Sequence, residues 1–96
     1  MNSVARLQKW YASQCDGTWE HSFGIKIESL DNPGWRVAID LQGTALADKP
    51  FAGVAAEYSP DNWVRCSLRD RAFVGAGGVG NLEEILRVFV NWAGIS

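Results

Sequence analysis

The sequence predicts an α+β domain spanning residues 1–96: an N-terminal helix, an antiparallel β-meander of about five strands and a C-terminal helix, with both helices packed on one face of the sheet. Three features predict it. Apolar residues recur at helical spacing near both ends, the middle alternates apolar and polar residues, and turn chemistry rather than helix separates the alternating runs.

The first helix is expected from Asn2 or Ser3 to Cys15, with Ser3 as N-cap. Val4, Leu7, Tyr11 and Cys15 share a stripe that Trp10 widens, and Gly17 in "DGT" suits the left-handed exit. In "WEHSFGIKIES", Trp19, His21, Phe23, Ile25 and Ile27 share one parity, while Glu20, Ser22, Lys26 and Glu28 share the other. That alternation predicts a half-buried strand with His21 inward and Glu20 outward. "LDNPG" turns the chain, with Pro33 fixing φ and Gly34 permitting a positive φ. "WRVAIDL" then alternates again, and an odd loop would place Glu28 near Arg36, or Lys26 near Asp40.

"QGTALADKP" reads as a polar connection, and Phe51–Ser59 as a weaker strand with a bulge at Gly53. "WVRCSLRD" and "AFVGA" are strands joined by a hairpin at Asp70–Arg71. The last helix is the clearest element. Asn81 and Glu84 have capping-box spacing, Leu82, Ile85, Leu86, Phe89, Val90 and Ala93 form a broad apolar face, and Gly94 ends it.

A chain that is 47% apolar and 21% charged is globular rather than disordered, and a net charge of −2 gives no reason to expect a nucleic-acid partner. No run approaches the ~20 apolar residues needed to span a bilayer, so no membrane partner is expected. Arg6 and Lys9 interrupt the N-terminal apolar residues, unlike a secretory signal, which makes the cytoplasm the expected location.

The literal G-x-G-x-x-G at Gly75, Gly77 and Gly80 raises the question of a dinucleotide site. Such a site needs a second parallel strand after the helix and an acid about 20 residues further on. Here the helix runs almost to Ser96, and Glu83 and Glu84 would repel a phosphate at its N-terminus. The glycines instead predict a tight connection and a close helix–sheet approach. Cys15, His21 and Cys66 lack the paired spacings of a metal site. Parity also turns His21 away from Glu20, so no catalytic, metal or cofactor set is predicted, and both thiols are expected to be reduced.

Five tryptophans are many for this length; Trp35 and Trp92 fit core filling, whereas Trp19 and Trp63, each beside a turn, fit either the core or a protein interface.

The strings "W-Y-x-S-Q-C-D-G-x-W-E-H", "G-I-K-I-E-S-L-D-N-P-G-W" and "GAGG…NLEEIL" resemble the immunity protein 53 family of bacterial polymorphic toxin systems, and the likeness covers almost the whole chain. "TALADKPFAGVAAEYSPD" resembles the family least, being Ala-rich where more charge is expected. The resemblance implies a small cytoplasmic protein that binds and neutralises a cognate toxin. The expected toxin contacts are Asp16, Trp19, Glu20, Asp31 and Asp61, an acidic set beside turn-proximal tryptophans on the segment most like the family. Two alternatives stay open at this point: a small ligand-binding domain, and a small cysteine/histidine enzyme.

Overall fold

The computed structural model describes residues 2–95. In chain order the elements are α1 (Ser3–Gln14), α2 (Trp19–Ser22), β1 (Ile25–Leu30), β2 (Gly34–Asp40), β3 (Val54–Ser59), β4 (Asn62–Arg69), β5 (Ala72–Gly77) and α3 (Leu82–Ala93). All strand pairs are antiparallel, in the order β1-β2-β5-β4-β3. The expected α+β arrangement is therefore present. Its meander has one departure: after β2 the chain crosses to the far edge, and β3, β4 and β5 return to β2.

One parity of each strand faces the helices. Val37 and Ile39 of β2, Val64 and Cys66 of β4 and Phe73 of β5 are buried there against Ile85, Leu86, Phe89 and Val90 of α3. Helix α1 adds Leu7 and Trp10 to the same core and packs chiefly on α3. Edge-to-face aromatic contacts join Trp19 to Trp10, Trp10 to Phe89 and Phe89 to Phe73. Such pairs are worth ~0.5–1.5 kcal/mol each beyond their buried area.

The glycines explain how closely α3 approaches. A Cβ on Gly75 would collide with Ile85 Cγ2, and one on Gly77 would lie 2.9 Å from the Trp63 carbonyl oxygen and 3.1 Å from Ile85 Cδ1. Gly34 does not use a positive φ; its hydrogen lies against the Gly77 carbonyl oxygen, where a Cβ would collide. The loop between β1 and β2 has the expected odd length, with Leu30 opposite Gly34 and Glu28 opposite Arg36. Asp70 and Arg71 make the predicted hairpin turn, both with positive φ, at 52° and 59°.

Several local expectations are corrected. Trp19–Ser22 is a turn of helix rather than strand, because Asp16 caps it and Trp19 is drawn into the core. Strand parity therefore does not apply to that segment, and His21 is exposed. Helix α1 buries Ser3, Leu7 and Trp10 and leaves Val4, Tyr11 and Cys15 exposed, and its cap is Asn2, whose side chain accepts from Ala5 N. The irregularity in β3 falls between Glu57 and Ser59, while Gly53 precedes the strand with φ +84°. Leu46, within the polar connection, is buried, and β3 begins at Val54 rather than at Phe51, which packs on Phe73 and Trp92.

Asn81 caps α3 without a side-chain bond to the helix backbone. Its amide is buried and reaches outward instead, donating to Asn62 Oδ1 (2.8 Å) and Glu84 Oε1 (3.0 Å) and accepting from Trp63 N (3.3 Å). The start of α3 is thereby tied to the start of β4.

Candidate protein-binding surface

Among the described residues no helix packs on the sheet's second face. Strand parity places Lys26 and Glu28 of β1, Arg36 and Ala38 of β2, Val74 and Ala76 of β5, Trp63, Arg65, Ser67 and Arg69 of β4, and Ala55 and Glu57 of β3 on it. Arg36 is bound to Glu28 at 3.3 Å, whereas Arg65 and Arg69 make no ion pair among the described residues. Trp63 is half-buried on this open face.

Along β3 and β4 the face is hollow. A cleft of about 370 Å³ is lined by Asn32, Ala55, Ala56, Glu57, Trp63 and Arg65. A second, of about 400 Å³, is lined by Ala52, Gly53, Val54, Ala55, Arg65, Cys66 and Ser67. They share Ala55 and Arg65 and so form one groove beside the β3 edge.

The five expected contact residues do not lie together. Antiparallel register puts the β1–β2 turn with Asp31 and the β3–β4 turn with Asp61 at one end of the sheet. The loop after β2 lies at the other end. Trp19 belongs to that second end, since its indole Nε1 donates to the Gln42 carbonyl oxygen at 2.8 Å, and it carries Asp16 and Glu20 with it. Strands of this length separate the two ends by roughly 20 Å.

Trp19 is a core residue, only 6% exposed. The carboxylates on either side of it are occupied locally. Asp16 Oδ1 accepts from Thr18 N and Trp19 N, and Glu20 accepts from Asp16 N and Gly17 N. The Trp19 and Thr18 amides hold the Asp16 carboxyl below its ordinary range, and the Glu20 amide, followed by those of Asp16 and Gly17, does the same for Glu20. Asp31 and Asp61 are exposed turn residues. Sequence reasoning left Trp63 undecided and missed Arg65, although burial of Val64 and Cys66 turns both outward.

The thiols are separated by environment. Cys66 is buried under α3, where burial and then the Glu84 charge push its pKa up to about 11. Cys15 is exposed and donates to the Tyr11 carbonyl oxygen. Among the described residues no three His, Cys, Asp or Glu side chains are grouped to hold a metal ion. No described helix is long and apolar enough to cross a membrane.

Comparison with known proteins adds one assignment. No curated protein and no solved structure matches the chain. The family model of immunity protein 53 matches residues 4–94, which takes in α1 from its second residue, the whole sheet and α3. The chain therefore belongs to the immunity protein 53 family.

Proposed function

We propose that this chain is a non-catalytic cytoplasmic immunity protein, acting as one unit over residues 1–96, that binds the cognate toxin of a bacterial polymorphic toxin system and blocks it. The observation that carries this reading is the family match over residues 4–94. The geometry supports it. A cysteine/histidine enzyme would need a thiolate beside a base, whereas Cys66 is buried with a raised pKa, the Cys15 thiol donates to the Tyr11 carbonyl oxygen, and neither thiol is hydrogen-bonded to His21 among the described residues. A binding protein needs an open, structured surface, and the sheet face opposite the helices is one.

Within this reading Asp31 and Asp61 supply an acidic rim at the turn end of that surface. Asp16 and Glu20 shape the loop at the opposite end, and Trp19 anchors that loop to the core. Co-expression with the toxin domain of the adjoining gene should restore growth to cells that the toxin alone kills, and the two proteins should co-purify. Protection without a complex, or a complex without protection, would overturn the proposal.

A further inference from the structure

Of the two sheet edges, β3 carries the fewer charges, and its one irregularity, between Glu57 and Ser59, is confined to the turn end. Among the described residues β3 pairs only with β4, so the backbone N–H and C=O groups along its other side have no strand partner there. Proteins usually blunt such edges with charge, proline or a covering element. The opposite edge, β1, carries Lys26 and Glu28 on its open-face side, whereas Glu57 is the only charged residue in β3. The groove described above runs directly alongside.

The charges around that groove are ordered. Arg65 and Arg69 point from β4 onto the open face and make no ion pair among the described residues. Glu57 stands opposite Trp63 at the other end of the same strand pair, next to the turn that carries Asp61. The groove is therefore positive in its middle, at Arg65, and negative at its Glu57 end, while Arg69 lies beyond it on the same face of β4.

Resting on the immunity reading, we infer that the toxin docks here through an extended segment. That segment adds as a sixth strand to the β3 edge, sets an acidic side chain on Arg65, and sets a basic one near Glu57. Backbone hydrogen bonds along the edge supply affinity, and the charge order selects direction and register. Trp63 walls the groove as the aromatic anchor that interfaces favour. Ala55 leaves room for the incoming side chains.

The test uses the catalytically inactivated toxin domain of the adjoining gene with the full-length protein. Hydrogen exchange in the complex should slow at the amides of β3 and leave those of β1 unchanged. Arg65→Glu and Ala55→Trp should each weaken binding at least about tenfold with the melting temperature held, because both side chains face solvent. Should either variant misfold, the exchange map of the unmutated complex decides alone. A complex that protects β1 or the helices, or leaves β3 unprotected, overturns the docking site while the immunity reading stands. Failure of the unmutated protein to bind the toxin overturns both. Concentration-dependent protection of β3 without toxin would assign the edge to a second copy of this chain and overturn the inference.

Discussion

Glu20 spends both carboxylate oxygens on backbone amides, at 2.9 Å from Asp16 N and 2.8 Å from Gly17 N, while Asp16 returns the favour to Thr18 N and Trp19 N. Its own amide is the largest influence lowering the Glu20 pKa, followed against burial by those of Asp16 and Gly17; for Asp16 the Trp19 and Thr18 amides lead. Folded pKa values below the unfolded ones stabilise the protein above the ordinary carboxylate range, and that stabilisation is lost as pH falls through the folded values. Glu20→Gln should therefore melt below the unmutated protein at about pH 7, and the gap should close towards about pH 3. A gap independent of pH would show that the charge of Glu20 does not hold the loop. The same scale governs the thiols. With Cys15 exposed and Cys66 raised to about 11 by burial, a disulfide-exchange reagent should titrate one thiol in the native protein and both in denaturant. Rapid reaction of both in the native protein would contradict the burial of Cys66.

Between elements, the contact that sets the core is α3 on β5, and it depends on the absence of a side chain at Gly75. Gly75→Ala should cost about 1–3 kcal/mol by overpacking against Ile85. In an Ile85→Ala background, which removes the colliding Cγ2, the same change should cost close to nothing. Additive costs in urea denaturation would show that the collision is relieved elsewhere. Asn81 joins α3 to β4 in the same region, and Asn81→Ala should cost about 1–3 kcal/mol because Trp63 N and Asn62 Oδ1 lose a buried partner. Much of this was legible in the sequence, and the limits are physical. The α3 stripe from Leu82 to Ala93 and the alternation of Trp35–Leu41 each bury one face, so periodicity found them. Trp19–Ser22 alternates just as well, yet the Asp16 carboxylate caps a helical turn there, a local bond that parity does not register. At the N-terminus helical spacing puts Leu7 and Trp10 on the buried stripe, where they lie, but puts Val4, Tyr11 and Cys15 there as well. Trp10 and Leu7 are held by α3, a contact about eighty residues away in sequence, and that packing leaves Val4 and Tyr11 outside. The candidate surface was the least legible part. The Asp16–Glu20 cluster was near in sequence and is occupied with its own loop, whereas the groove is assembled from β3 and β4 only once the register is set.

The molecule as a whole is layered unevenly: α3 touches β2, β4 and β5, while α1 leans chiefly on α3. A helix held from one side is a natural unit of partial opening. Its principal polar tie runs from one end of the chain to the other. The Arg6 guanidinium donates through Nε to the Ile95 carbonyl oxygen at 2.8 Å and through Nη2 to Asn91 Oδ1 at 3.0 Å. Both bonds are charge-assisted, in the class worth about 1.5–3 kcal/mol each before solvent screening, which reduces the exposed Asn91 bond more than the part-buried Ile95 bond. Arg6→Ala should therefore loosen α1 while the sheet stays closed. In native-state hydrogen exchange the amides of α1 should lose protection by one to two orders of magnitude, following roughly 1–3 kcal/mol of lost local stability, whereas amides in β2 and β5 should lose less. Because the β3 groove lies on the far face of the sheet, toxin binding by Arg6→Ala should match that of the unmutated protein at a temperature where both are folded. Equal loss of protection in α1 and β5 would mean that the helices and sheet open only together, and weakened binding would place α1 in the contact.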